Sequence, residues 1–114
     1  EPVALEMIRR LLHNAAEYSA DMIVTLCPMC QLNLDAYQDA VNKHFGTDYH
    51  IPVLYFTQLM GLAFGHDAKR LGIGKEFVSA NAALARIGVE PPAPSPAARP
   101  PKEALPMPGS AQED

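Results

Sequence analysis

The sequence predicts an α/β fold: a small parallel βαβ core with flanking helices, part of a larger domain, followed by a Pro/Ala-rich tail. Three observations carry this. Met22–Leu26 and Pro52–Tyr55 are short, continuous apolar runs of the kind that form buried parallel strands. The stretch between them has the spacing of an amphipathic helix, which gives the order strand, helix, strand. Composition then changes at about Val89. Eight of the eleven prolines (Pro91, Pro92, Pro94, Pro96, Pro100, Pro101, Pro106, Pro108) lie in the last 24 of the 114 residues. That segment cannot bury enough apolar surface to offset its ordering entropy, so residues 1–89 are expected to fold and 90–114 to form a flexible tail.

Glu1-Pro2 suits a helix start, with proline in the first turn and an acid at the positive end of the dipole. The spacing predicts a helix to about Ala20, in which Leu5, Ile8, Leu12 and Ala16 form one apolar stripe and Met7, Leu11 and Tyr18 a second beside it. So wide a face requires cover on more than one side. Asp21 leads into the first strand. Beyond it, Gln31 to Phe45 reads as one helix, with Leu34, Tyr37, Val41 and Phe45 at helical spacing and Gly46 as its stop. After the second strand, Thr57 is placed to cap a third helix whose face is Phe56, Leu59, Met60, Ala63 and Phe64, ending at Gly65. His66 to Gly74 reads as a polar connection. Ser79 caps a last short helix with Leu84 and Ile87 inward, ending at Gly88. Only two strands emerge, and a two-stranded parallel sheet leaves open edges, so the chain is expected to be part of something larger.

Bulk properties exclude several functions. The net charge is −4 and the nine basic residues are scattered, which argues against a nucleic-acid surface. No apolar run approaches the roughly 20 residues that span a bilayer, and the N-terminus lacks the parts of a signal peptide. The expected location is therefore cytoplasmic, with no membrane span. No G-x-G-x-x-G follows a strand, the residues around Gly74-Lys75 do not make a phosphate loop, and neither G-x-S-x-G nor H-E-x-x-H occurs. Nucleotide binding and hydrolysis have no support.

The chemistry rests on Cys27-Pro28-Met29-Cys30, which holds both cysteines of the chain and follows the first strand directly. At a strand end that opens a helix, the amides of the next turn and the helix dipole favour a thiolate at Cys27, and Pro28 fits the first turn because its missing N–H would have had no partner. Thiolates three residues apart can turn toward one point. The motif serves a thiol–disulfide couple, half of a zinc site, or part of an iron–sulfur ligand set. Against a thioredoxin-like couple, the 21 residues between Cys30 and Pro52 leave room for one helix and a loop only. Against a complete zinc site, there is no second C-x-x-C and no H-x₃₋₅-H. Among the other polar residues, Asn33 and Asp35, one turn on, serve either the local backbone or the site. His13 is read as a surface pair with Glu17, and His44 suits the negative end of its helix. His50 and His66 lie in loops, and the five methionines read as core filler.

Two stretches carry a resemblance. Cys27-Pro28-Met29-Cys30-Gln31-Leu32-Asn33-Leu34-Asp35, with Ile51-Pro52-Val53-Leu54-Tyr55-Phe56-Thr57-Gln58-Leu59-Met60-Gly61-Leu62-Ala63-Phe64-Gly65 after it, closely resembles the C-terminal end of the heterodisulfide reductase B-subunit family. That family has cysteine-rich CCG domains, in which an upstream cysteine, a Cys-Cys-Gly and a closing C-x-x-C hold a noncubane [4Fe-4S] cluster. The resemblance implies that residues 1–89 are the C-terminal part of the second such domain, and that Cys27 and Cys30 are its closing pair. The upstream cysteines are absent here, so the chain alone is expected to carry an incomplete ligand set and to lack the cluster and activity. For the intact protein the resemblance implies an oxidoreductase subunit that reduces a small disulfide at the cluster, with electrons from flavin-containing and iron–sulfur subunits.

Two other readings stay open. One is a CCG-domain electron-transfer subunit of the kind attached to glycolate, lactate or glycerol-3-phosphate oxidation. The other is a free-standing C-x-x-C thiol oxidoreductase or zinc-binding module, which needs no further sequence.

Overall fold

A computed structural model describes residues 2–93. The expectations for Glu1 and for positions 94–114 lie outside them. The first helix, α1 (Pro2–Glu17), ends three residues short of the predicted Ala20, where Ser19 takes a left-handed conformation with φ of 54°. Its Leu12 is fully buried, and Leu5, Ile8 and Ala15 pack beside it on Val41, Phe45, Ile51 and Tyr49. The predicted second stripe is uncovered among the described residues: Met7, Leu11 and Tyr18 are exposed, and so is Ala16.

Strands β1 (Ile23–Thr25) and β2 (Val53–Tyr55) pair in parallel, with Ile23 opposite Val53, Val24 opposite Leu54 and Thr25 opposite Tyr55. This two-stranded sheet is the predicted βαβ core. β2 is the buried strand, with Val53 and Leu54 at 0% exposure. β1 corrects the expectation of a fully buried run, since Val24 is 39% and Leu26 74% exposed. With no strand on its other side among the described residues, β1 keeps only Thr25 well covered.

The single helix predicted between the strands is two. α2 (Pro28–Ala36) begins at the proline inside the cysteine motif, and α3 (Gln38–Phe45) follows after Tyr37, whose φ of −99° and ψ of 3° break the helix. The break accompanies an inward turn of Gln38, which is 1% exposed. Its Nε2 donates to the Ile51 carbonyl at 2.6 Å and its Oε1 accepts the Ile51 N–H at 2.9 Å, which satisfies the chain as it enters β2. Gly46 ends α3 with φ of 66°, as the C-terminal glycine of a helix should. Asn42 then fixes the following turn through both the N–H and the carbonyl of Tyr49.

In α4 (Phe56–Ala63) the cap is Tyr55 rather than Thr57: Gln58 Oε1 accepts the Tyr55 N–H at 2.9 Å. The predicted inward face is also corrected. Gly61 and Leu62 are buried, whereas Leu59, Met60 and Phe64 are exposed, because Gly61 lies against the side chain of Leu71 and draws that side of the helix inward. Leu62 joins Leu54, Ala68, Ile73, Ala80 and Leu84 in the larger core cluster. Two of these, Ala68 and Ile73, come from the stretch read as a polar connection. α5 (Asn81–Arg86) buries Leu84 as expected, but its cap position is Ala80 rather than the predicted Ser79, whose Oγ accepts the Asn81 N–H at 3.2 Å from one residue earlier. Ile87 falls beyond its last turn and is exposed.

Candidate metal centre at the carboxyl edge of the sheet

Because β1 and β2 run parallel, their carboxyl ends lie together; β2 passes straight into α4, and β1 reaches α2 after Leu26 and Cys27. This edge of an open parallel sheet is where such folds bind ligands. Cys27 is the N-cap of α2, in extended conformation (φ −123°, ψ 123°), with Pro28 in the first turn. Cys30 is the third residue of the helix. Both are exposed free thiols.

The Cys27 side chain makes no full capping hydrogen bond, yet its thiol lies below the usual range. The Cys30 amide contributes most, then the Cys30 thiol and the Met29 amide. Cys30 moves the other way, because its thiol donates to Cys27 and faces the charge that forms there. The expected preference for a thiolate at Cys27 is thus present in the fold.

Two side chains flank the motif. Tyr55 Oη donates to the Leu26 carbonyl at 3.3 Å, and Gln31 Nε2 donates to the Val53 carbonyl at 3.4 Å. The hydroxyl of Thr25, two residues before Cys27, is buried without a hydrogen-bond partner among the described residues. A groove of about 250 Å³ runs from Pro28, Gln31 and Leu32 to Gln58, Lys75 and Phe77.

The other sequence candidates have separate roles. Asp35 is buried and accepts the N–H groups of Phe77 and Val78 at 2.8 and 2.9 Å, which is backbone satisfaction. Asn33 is exposed beside a 690 Å³ groove formed with α1 by Tyr37 and Ala40. His13 meets the Tyr49 hydroxyl at 3.4 Å instead of Glu17, and His50 pairs with Asp48 at 2.7 Å. Among the described residues no group of three or more Cys, His, Asp or Glu side chains gathers to hold a metal ion. Two exposed sulfurs at a helix start, one of them biased toward the anion, suit iron or zinc; they fit as part of a ligand set. Nothing in the sequence singles out Tyr55, Gln31 or Gln38 as individuals. The only signal for the first two was their place in the stretches that carry the resemblance.

No protein-family model matches the chain. It is 45% identical over 84 residues to the B subunit of the ferredoxin:CoB-CoM heterodisulfide reductase of Methanosarcina mazei. It is 44% identical over 84 residues to the B subunit of the ferredoxin/F(420)H(2)-dependent CoB-CoM heterodisulfide reductase of Methanosarcina acetivorans. Each match takes in 74% of this chain and 28% of the relative. Over the matched residues the chain is a homologue of heterodisulfide reductase B subunits. The chain spans little more than a quarter of the length of these curated relatives. A further relative, 39% identical over 80 residues (70% of this chain, 28% of the relative), is the 8-methylmenaquinol:fumarate reductase membrane anchor subunit of Wolinella succinogenes. No helix among the described residues of this heterodisulfide reductase B-like chain is long and apolar enough to cross a membrane.

Proposed function

We propose that this chain forms part of an oxidoreductase subunit in which Cys27 and Cys30 supply two sulfur ligands to a noncubane [4Fe-4S] cluster, as the closing pair of a CCG domain. The observation that carries the reading is the exposed C-x-x-C at a strand-to-helix turn, in a chain 45% identical over 84 residues to the B subunit of a heterodisulfide reductase. The remaining ligands come from other parts of the intact protein. When bound, the cluster would supply the two electrons that, with two protons, convert a small disulfide to two thiols. The chain's own part is to hold two sulfurs at the carboxyl edge of the sheet, where the Met29 and Cys30 amides favour the anionic form needed for ligation. Flavin-containing and iron–sulfur subunits would deliver the electrons.

The 39% match to a fumarate reductase membrane anchor subunit favours a second reading, in which the same pair serves an electron-transfer subunit with another redox partner. The two separate in one assay. The complete subunit, purified without oxygen with its partner subunits, is given reduced viologen dye and either the CoM–CoB heterodisulfide or fumarate. Dye oxidation with the heterodisulfide supports the first reading. Oxidation with fumarate alone supports the second, and an active Cys27–Cys30 thiol couple in an iron-free protein would replace both with a thiol oxidoreductase.

A further inference from the structure

The cysteine turn is fastened to β2 on both sides. The residue before it, Leu26, has its carbonyl held by the Tyr55 hydroxyl at 3.3 Å. The residue after it, Gln31, reaches back with Nε2 to the Val53 carbonyl at 3.4 Å. Packing does not hold the turn, since every residue from Leu26 to Cys30 is exposed among the described residues. Tyr55 is itself anchored: its N–H goes to Gln58 Oε1 at 2.9 Å, and Gln58 Nε2 donates to the Leu71 carbonyl at 3.1 Å. The register that sets Thr25 opposite Tyr55 delivers the phenol to the end of β1, where the motif begins.

We propose that Tyr55 and Gln31 are positioning residues that clamp the Cys27–Cys30 turn to β2 and so fix the direction of its two sulfurs toward the cluster. This rests on the reading that the pair ligates the cluster. Groups that orient ligands without touching the metal decide how firmly it is held, and losing one costs about 10- to 100-fold in metal affinity. An exposed turn tied down at these two points should be sensitive to either loss.

The test uses the complete subunit purified without oxygen, as wild type, Tyr55→Phe, Gln31→Leu and Gln31→Lys, the last keeping an N–H donor of sufficient reach. Iron loss to a chelator, the electron paramagnetic resonance spectrum and the unfolding midpoint are measured on each. Tyr55→Phe and Gln31→Leu should release iron about tenfold faster than wild type, with altered spectra and unchanged unfolding midpoints, and Gln31→Lys should restore most of the retention. Release at the wild-type rate with unchanged spectra in both variants overturns the clamp while leaving the ligand assignment standing. A wild-type protein without cluster overturns the ligand assignment itself, and the clamp with it.

Discussion

At Cys27 the amides of Met29 and Cys30 act on a sulfur that solvent and reagents also reach. The two thiols should therefore titrate apart, Cys27 below the usual range chiefly because of the Cys30 amide, and Cys30 above it because of the Cys27 sulfur. Alkylation of the metal-free chain by iodoacetamide across pH 6 to 10, followed by peptide mapping, should label Cys27 first, at the lower pH. In Cys27→Ser the charge opposing Cys30 is gone, so Cys30 should react at lower pH than in wild type. Faster labelling of Cys30 in the wild type would contradict the geometry. The residue scale is also where the sequence was most legible, because the C-x-x-C and the direction of its bias follow from a strand end, a helix start and Pro28. The fates of Asp35 and Gln38 were not legible: each is engaged by backbone distant in sequence, at Phe77 and Val78 or at Ile51.

Among the elements, the break between α2 and α3 shows why one helix was expected. Leu34, Tyr37, Val41 and Phe45 keep a helical spacing across it, so periodicity alone gives no sign of a kink. The break serves Gln38, whose amide meets both polar groups of Ile51 in a buried place. Gln38→Leu should leave that N–H and carbonyl unpaired and destabilise the chain by about 2–6 kcal/mol, at about 1–3 kcal/mol for each orphaned group. Urea unfolding measures this, and a loss under about 0.5 kcal/mol would show that Gln38 does not hold the two elements together. On α1, Glu6 is held down to about 2 by hydrogen bonds from Arg9 and then Arg10. Its folded value is depressed, so its stabilisation is present above the unfolded value of about 4.5 and is lost as pH falls through about 2. The contribution is small because the network is at the surface. The difference in melting temperature between wild type and Glu6→Gln should be constant above about pH 5 and shrink from pH 4 toward pH 2. A difference independent of pH would exclude the carboxylate as its source.

For the whole molecule, the parallel two-stranded sheet, its connecting helices and its open edges followed from the apolar runs and their spacing. What did not follow was which faces are covered. The stripe Met7, Leu11 and Tyr18, Val24 of β1 and Leu26 just beyond it, and Met60 and Phe64 are apolar in sequence and exposed among the described residues. A sequence records that a face is apolar, but not whether its cover comes from the same 92 described positions, 2–93. The chain accounts for 28% of the length of its 45% identical relative, and its two thiols are fewer than the sulfur ligands that a four-iron cluster needs. The central claim is that Cys27 and Cys30 ligate that cluster. The most direct measurement is iron and acid-labile sulfide in the complete subunit purified without oxygen, as wild type, Cys27→Ser and Cys30→Ser. The account predicts a stoichiometric cluster in the wild type and a loss of iron and sulfide in both variants, with their folds retained. Full iron and sulfide in both variants would contradict it.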